Sequence, residues 1–218
     1  MSAAGTLLFD LDGTLTDSRP GIFACIRHAL ARLDVAPPGD AELAGCLGPP
    51  LRVAFAGLLG SAEPARIEHA LVNYRERFDA VGWRENAVYD GIDGALAALA
   101  ASGYRMLVCT SKPDVYARRI VEHFGLDRHL AGVYGPGLDG RFDDKRALLA
   151  HLLASEGCAA GAAHMIGDRR QDLDAARANG TRAVGVLWGY GSRDELAGCD
   201  RLVASPAALP GALSASSA

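Results

Sequence analysis

The chain has 218 residues, of which 50% are hydrophobic and 22% are charged, and its formal net charge at pH 7 is −4. This length and composition are typical of a globular protein with one core, or with a core and a smaller lobe. A pI near 5.8 argues against a nucleic-acid partner, and no segment reaches the ~18 apolar residues of a membrane span. Five widely spaced cysteines, none in a Cys-x-x-Cys pair, argue against a disulfide framework. We therefore expect a soluble, cytoplasmic protein.

Short apolar runs bounded by Gly, Asp or Ser predict strands that are buried on both faces, and helical patterns lie between them. The predicted strands are TLLF (6–9), YRMLVC (104–109), GVYG (132–135), AHMIG (163–167) and AVGVLW (183–188). The predicted helices are residues 93–102, 113–124, 144–155 and 170–180. Alternating strands and helices predict an α/β fold, with a Rossmann-like parallel sheet and helices on both of its faces.

This alternation is interrupted between Thr16 and about Asn86, where only helical patterns occur. One apolar stripe at helical spacing is formed by Ile22, Ile26, Ala29 and Leu33. We expect residues 17–86 to form a small all-helical lobe inserted after the first strand. Residues 1–16 and 87–218 then form the α/β core.

The first predicted strand ends on two carboxylates, in the stretch LLFDLDGT. Asp10 and Asp12 are two residues apart, so they face the same side if the chain stays extended. In an open parallel sheet the ligand crevice lies outside the carboxyl ends of the strands. Two adjacent carboxylates are tolerated when a divalent cation lies against them or when one keeps a proton. The alternative is an exposed turn that contains two aspartates and has no function.

Other predicted strands also end on reactive groups. These groups are Thr110, Ser111 and Lys112 after one strand, Asp168 and Asp172 after another, and Lys145 at a helix start after a third. Because parallel strands end at the same edge, four strand exits bring carboxylates, a hydroxyl and an amine together. Such a set indicates a site for a phosphate and a hard metal ion.

In this order, DLDGT, a strand ending in Thr, a later Lys and GDRRQD resemble the motifs of the haloacid dehalogenase superfamily. The resemblance extends over nearly the whole chain. A helical cap between the first and second motifs is similar to that of phosphoglycolate phosphatases and their relatives. The resemblance implies hydrolysis of a small phosphorylated substrate, with the cap setting specificity, by a monomer or homodimer.

The resemblance also implies roles for individual residues. Asp10 would be the nucleophile that forms an aspartyl-phosphate, and Asp12 would be the general acid and then the general base. Thr110 would donate a hydrogen bond to a phosphate oxygen, while Lys145 would neutralise phosphate charge and hold Asp10. Mg²⁺ would be bound by the carboxylates of Asp10 and Asp168 and by the backbone carbonyl of Asp12.

Several of these assignments leave an alternative open. Thr110 could satisfy a backbone group at the strand end, and Asp172 could be either a residue behind the metal ligands or an acid favoured by a helix N-terminus. Arg146 competes with Lys145, because many relatives have Lys-Pro where this chain has Lys-Arg. Only two of the 22 basic residues are lysines, Lys112 and Lys145. This scarcity favours Lys145, because a compact ammonium suits a phosphate pocket.

The substrate contacts come from the core and from the cap. The stretch GCLGPPLRVAF resembles the specificity loop of capped relatives, in which Gly48 would bring the backbone close to the substrate. Arg52 could pair with a carboxylate or a second phosphate, or it could be a solvated helix residue. Lys112 has the same two interpretations, a substrate ligand or a solvated loop charge. The candidate substrate-binding residues are Thr110, Ser111, Lys112, Gly48 and Arg52.

Within the superfamily, a phosphatase related to phosphoglycolate phosphatase is the main hypothesis. A dehalogenase does not need Asp12, and a phosphonate hydrolase needs a cap lysine, whereas no lysine precedes Lys112. The segment GVLWGYGSRDEL resembles a subset named phosphoglycolate phosphatase or 5′-nucleotidase, so both substrates stay open. A sugar-phosphate mutase shares the core residues. A non-catalytic binding module would have lost one of the carboxylates, and none is missing.

Overall fold

The structure is a computed structural model that describes residues 5–214. These residues divide into two compact units. One unit comprises the residues up to Thr16 together with those from Val88 onward, and the other is Asp17–Ala87. We call them the α/β unit and the helical unit.

The α/β unit is built on a six-stranded sheet whose neighbouring strands are all parallel. In chain order, the strands of the protein are β1 (Thr6–Phe9), β2 (Thr16–Asp17), β3 (Ala87–Val88), β4 (Arg105–Cys109), β5 (Gly132–Tyr134), β6 (Ala163–Gly167), β7 (Arg182–Val186) and β8 (Arg201–Val203). The order in the large sheet is β5-β4-β1-β6-β7-β8, while β2 and β3 form a separate pair. The chain thus runs outward on both sides of β1, which places a crevice at the carboxyl end of β1.

Five helices belong to the α/β unit: α5 (Ile92–Ala101), α6 (Asp114–His123), α7 (Lys145–Ser155), α8 (Arg170–Asn179) and α9 (Leu209–Ser214). Apolar side chains of α7 and α8 pack with one face of the sheet, for example Leu149 with Leu8 and Leu107 in one buried cluster. The first turn of α7 is capped by Asp144, whose side chain accepts a hydrogen bond from the backbone N–H of Arg146 at 2.9 Å. This cap fixes the point where the helix begins.

The helical unit contains α1 (Arg19–Ala31), α2 (Asp40–Leu43), α3 (Leu51–Leu59) and α4 (Pro64–Ala80). Its core includes a run of aromatic contacts, in which the rings of Phe55 and Tyr74 meet edge to face and those of Tyr74 and Phe78 stack. The helices approach closely at Gly21, where a Cβ atom would lie 2.2 Å from the carbonyl oxygen of Gly82. Short 3₁₀ turns occur in both units, at Ala44–Cys46, Gly82–Arg84, Leu126–His129, Ala160–Ala162 and Pro206–Ala208.

The helical unit also holds a charged pair. Arg77 Nη1 donates to Glu85 Oε2 at 2.6 Å, and Arg77 Nη2 donates to Glu85 Oε1 at 2.9 Å. The same guanidinium contacts the buried thiol of Cys25 at 3.4 Å. The pair is thus bidentate, which is the strong geometry for a guanidinium and a carboxylate.

The predicted α/β fold with a parallel sheet is confirmed. Three of the five predicted strands differ from the structure by one or two residues at an end, and the short strands β2, β3 and β8 were not predicted. The fifth predicted strand, 183–188, is observed as β7 at Arg182–Val186, and beyond its end the backbone N–H of Leu187 still donates to the carbonyl oxygen of Val203. The edge strand β8 was not predicted, since it has only three residues, begins with Arg201 and forms no apolar run. Along residues 5–214, none of the helices combines the length and the apolar character that crossing a bilayer requires.

Candidate active site

The loop after β1 is tightly folded around Leu11. The backbone N–H groups of Thr14, Leu15 and Thr16 all point to the carbonyl oxygen of Leu11, at 2.9 to 3.3 Å. Gly13 has φ +89, and a Cβ atom there would lie 2.3 Å from Asp168 Oδ2. Only glycine fits this position, because it needs both a left-handed backbone and a close approach to a carboxylate.

Three buried carboxylates lie together at the carboxyl edge of the sheet, and we call Asp10, Asp168 and Asp172 the acidic cluster. Each offers an oxygen atom, and these atoms all lie within 4.8 Å of one another. Asp10 directly follows β1, Asp168 directly follows β6, and Asp172 lies in the first turn of α8. The parallel sheet therefore brings together residues that are far apart in the chain.

The electrostatics of the cluster follow from its burial. Burial raises the pKa of Asp168 to about 8, and the charges of Asp172 and Asp10 add to the shift. Burial also raises the pKa of Asp172, against the opposing effect of Lys145. Like charges in a low-dielectric site favour a bound proton or a bound cation.

Lys145 is the first residue of α7 and is buried beside the cluster. Its Nζ atom lies 2.8 Å from Asp10 Oδ1 and 2.5 Å from Asp172 Oδ1. Burial lowers the pKa of Lys145, but the charges of Asp10 and Asp172 outweigh that effect and the pKa is raised above its usual value. Arg146 instead pairs with Asp144 and is 62% exposed. The geometry thus places the lysine at the cluster and the arginine outside it.

Asp172 has the contact expected of an acid at a helix N-terminus, and its place behind the metal ligands stays a prediction. Its Oδ2 accepts a hydrogen bond from the backbone N–H of Arg169 at 3.0 Å, as expected of an acid at a helix N-terminus. Its Oδ1 faces Lys145. A Cβ atom at Gly167 would lie 2.1 Å from the Asp172 carboxyl group, so the strand end leaves just enough space for this side chain.

Of the three groups that follow β4, Lys112 contacts Asp12. Thr110 is buried, and its Oγ1 accepts a hydrogen bond from the backbone N–H of Lys112 at 3.2 Å. A hydroxyl that accepts one bond still has a proton to donate, so both interpretations of Thr110 stay compatible. Ser111 is half-buried in the same loop. Lys112 Nζ lies 2.9 Å from Asp12 Oδ2, so it is not the solvated loop charge considered above.

Gly48 and Arg52 belong to the helical unit. Gly48 is exposed, with φ +99, between a 3₁₀ turn and α3. Arg52 lies in the first turn of α3, forms an ion pair with Glu68 and is 52% exposed. Their proposed contact with substrate stays a prediction.

Sequence reasoning missed the segment Trp188–Gly191, which packs directly against the site. The backbone N–H of Tyr190 donates to Asp168 Oδ2 at 2.7 Å, and Trp188 Nε1 donates to the carbonyl oxygen of Thr14 at 2.9 Å. A Cβ atom at Gly189 would lie 2.2 Å from the carbonyl oxygen of Gly13. Two glycines around one residue, just after a strand at this edge, were the available signal for such a close approach.

The residues present fit a divalent cation. The buried cluster holds three carboxylates against the one ammonium of Lys145, and carboxylate oxygens are the preferred ligands of a hard cation. Without a cation, the protein favours a proton on Asp168, as its raised pKa indicates. Lys145 is paired with both Asp10 and Asp172, so this pairing does not distinguish the ligands, and Asp10 and Asp168 stay the predicted ones.

Comparison with known proteins identifies the family. The family profile described as haloacid dehalogenase-like hydrolase matches residues 7–186. Three curated relatives carry different names. A 5′-nucleotidase of Pseudomonas aeruginosa is 50% identical, over 87% of this chain and 86% of its own length. The tyrosine-protein kinase PtkA of Mycobacterium tuberculosis is 42% identical, over 86% of this chain and 64% of its own length. A phosphoglycolate phosphatase of Rhodospirillum rubrum is 33% identical, over 88% and 82%.

A solved structure supports the same assignment. The crystal structure of a predicted phosphatase from Clostridium acetobutylicum superimposes with a TM-score of 0.90 at 36% identity, covering 96% of this chain and 98% of that chain. The family profile spans most of the sequence, and the relatives cover most of it at more than 30% identity. The chain therefore belongs to the haloacid dehalogenase-like hydrolases, and within that family it is a phosphatase.

Proposed function

We propose that the protein is a Mg²⁺-dependent phosphatase that hydrolyses small phosphomonoesters through an aspartyl-phosphate on Asp10. The observation that carries this proposal is the position of Asp10, which is buried at the end of β1 with Lys145 Nζ at 2.8 Å from its Oδ1. A carboxylate held by an ammonium at the crevice is oriented for attack on a phosphoryl group. The acidic cluster around it supplies the ligands that a cation needs.

In the first step, a carboxylate oxygen of Asp10 forms a bond to phosphorus while the bond from phosphorus to the ester oxygen breaks. The electron pair of that bond leaves with the ester oxygen, which takes a proton from Asp12. Lys145 keeps Asp10 ionised and in place, and the Thr110 hydroxyl donates a hydrogen bond to a phosphoryl oxygen. Because phosphoryl transfer depends mainly on positioning and charge stabilisation, these few groups are sufficient.

In the second step, Asp12 takes a proton from water as the water oxygen forms a bond to phosphorus. The bond between phosphorus and Asp10 then breaks, which restores the carboxylate and releases inorganic phosphate. When bound by Asp10 and Asp168, Mg²⁺ would neutralise negative charge on the phosphoryl group. The helical unit would act as a cap that sets specificity, with Gly48 and Arg52 as its candidate contacts.

The relatives suggest two substrate classes. The 5′-nucleotidase is 50% identical and the phosphoglycolate phosphatase 33% identical. Nucleoside monophosphates are therefore a second candidate beside phosphoglycolate, which the sequence motifs favoured.

The experiment is phosphate release from a panel of esters, with Mg²⁺ and with a chelator. The panel contains phosphoglycolate, nucleoside 5′-monophosphates, hexose phosphates and p-nitrophenyl phosphate. We expect turnover with Mg²⁺ and none with chelator, and Asp10→Asn should reduce turnover by at least ~10³-fold. Asp174→Asn is the matched control, because Asp174 lies on α8 but is exposed, and it should behave as wild type.

Two results would contradict the proposal. Wild-type turnover by Asp10→Asn would exclude the aspartyl-phosphate. Inactivity of the folded wild type on every ester would favour a mutase or a binding module instead.

A further inference from the structure

Lys112 is a buried cation at the carboxyl edge of the sheet, and the mechanism above does not use it. Its side chain is only 6% exposed, and its Nζ lies 2.9 Å from Asp12 Oδ2. A buried lysine is held by its partner rather than by solvent. The contact therefore fixes one oxygen of the Asp12 carboxyl group.

The backbone of Lys112 contacts Thr110 on one side and the loop after β5 on the other. Its N–H donates to Thr110 Oγ1 at 3.2 Å. A Cβ atom at Gly135 would lie 2.3 Å from the carbonyl oxygen of Lys112, so the loop after β5 packs directly against it. The next N–H in the helix start, that of Asp114, donates to the carbonyl oxygen of Pro136 at 3.0 Å. The backbone at Lys112 is thus fixed by its neighbours.

The second oxygen of Asp12 is in a different state. Asp12 Oδ1 is buried, and among residues 5–214 no hydrogen-bond donor reaches it. A buried acceptor without a partner is unfavourable, so such an atom indicates a position where a hydroxyl or a water is received from outside. The two oxygens of Asp12 are therefore distinguished by Lys112.

We propose that Lys112 is a positioning residue that acts through Asp12, and that it does not bind the substrate. By holding Oδ2, it leaves Oδ1 as the atom that gives a proton to the leaving oxygen and later takes one from water. This inference rests on the proposed function, because it assumes the proton transfers described there. It replaces the substrate-binding role predicted for Lys112 from sequence.

The proposal is tested with Lys112→Met and two esters that differ in their need for a proton. One is the alkyl phosphomonoester that the panel shows to be the best substrate, whose leaving group is an alkoxide that must be protonated. The other is p-nitrophenyl phosphate, whose leaving group, p-nitrophenolate, departs without a proton. We expect Lys112→Met to slow single-turnover alkyl cleavage by about 10- to 100-fold, within the range of general acid catalysis. The burst of p-nitrophenolate and both KM values should change by less than about threefold.

A double-mutant cycle separates action through Asp12 from direct action. In the Asp12→Asn background, Lys112→Met should have little further effect on alkyl cleavage, because the group that it positions is already gone. Lys112→Arg keeps a cation near Oδ2 and should restore part of the rate. Arg177→Met, the loss of an exposed cation on α8, is the control and should leave the rates unchanged.

The outcomes are distinguishable. Equal slowing of both esters, or a large rise in both KM values, would overturn the Lys112 proposal and leave the phosphatase intact. A wild type that cleaves neither ester would overturn the proposed function and the Lys112 proposal together. If Lys112→Met does not fold, as judged by circular dichroism, Lys112→Gln and Lys112→Arg replace it in the same comparison.

Discussion

Both units of the molecule pair charged side chains, but they balance the charges differently. In the helical unit, Arg77 and Glu85 form a one-to-one bidentate pair. At the edge of the α/β unit, the three carboxylates of the acidic cluster face the one ammonium of Lys145. A balanced pair needs nothing further, whereas the unbalanced cluster needs a proton or a cation. This difference separates a structural contact from a site that binds a ligand.

The largest effect is expected when the acidic cluster loses the positive charge of Lys145. Lys145→Met leaves the cluster without its cation, so we expect turnover to fall by at least ~10³-fold. The free energy of unfolding, measured with urea in chelator, should fall by about 3–5 kcal/mol, because one partner of a buried ion pair is lost. Arg146→Met is the matched control, since Arg146 is exposed and pairs only with Asp144 among the contacts above. Its stability should stay within about 0.5 kcal/mol. Loss of activity in Arg146→Met alone would assign the phosphate-binding role to the arginine.

A second test distorts the cluster without changing its charge. In Gly189→Ala the new Cβ would overlap the carbonyl oxygen of Gly13 and the Cβ of Asp168. We expect a loss of about 1–3 kcal/mol in stability and a 10- to 100-fold weaker affinity for Mg²⁺ by calorimetry, roughly as for other groups that orient a metal ligand. Gly94→Ala is the control, because nothing lies within 4 Å of its new Cβ, and it should gain about 0.5–1 kcal/mol. Unchanged Mg²⁺ affinity in Gly189→Ala would show that the 188–191 segment does not position Asp168.

A third test breaks the balanced pair. Arg77→Met leaves Glu85 without its partner, and because both side chains are partly exposed we expect a loss of about 1–2 kcal/mol. The double variant Arg77→Met/Glu85→Leu removes both charges and should recover most of that loss in urea unfolding. Additive losses would mean that the two residues contribute separately, and the pair would not be balanced in the sense used here.

The last test compares the two sites by the sign of their pH dependence. In chelator, the pKa of Asp168 is raised by burial to about 8, so the folded state binds a proton that the unfolded state releases near pH 4. Stability should therefore fall as pH rises from about 4 to about 8. The pKa of Glu85 is lowered by its hydrogen bonds from Arg77, so its contribution should be lost as pH falls below about 4.5. One such group changes stability by at most about 1.4 kcal/mol per pH unit.

Two variants show which residue causes each change of stability with pH, measured by urea unfolding at several pH values. Asp168→Asn in chelator, or saturating Mg²⁺ on the wild type, should remove the fall toward pH 8. Glu85→Gln should flatten the fall in acid. A wild type whose stability in chelator does not change between pH 5 and pH 8 would contradict the first assignment.

Much of the fold was predictable because its signals are local. The central strands are continuous apolar runs, and the meeting of Asp10, Lys145 and Asp168 follows from the rule that parallel strands end at one edge. Assigning roles to these residues needed the resemblance as well.

The rest depends on contacts between distant residues that no local pattern encodes. The pairing of Lys112 with Asp12 joins two loops, so no sequence pattern distinguishes it from a substrate contact. The bond from Tyr190 to Asp168 uses a backbone N–H, which every residue other than proline has. The strand β8 has three residues, of which only Val203 is fully buried, and its pairing with β7 defines it as a strand.

The position of β1 has a consequence for the synthesis of the protein. This strand lies at the beginning of the described chain, yet its two neighbours are β4 and β6, which begins at Ala163. At ~5–20 residues per second, β1 waits on the order of ten to thirty seconds for β6 to be translated. During that time an apolar strand has at least one edge unpaired, and an open edge can pair with another chain. The acidic cluster is therefore completed late, because a nascent chain that stops after β5 lacks two of its three carboxylates.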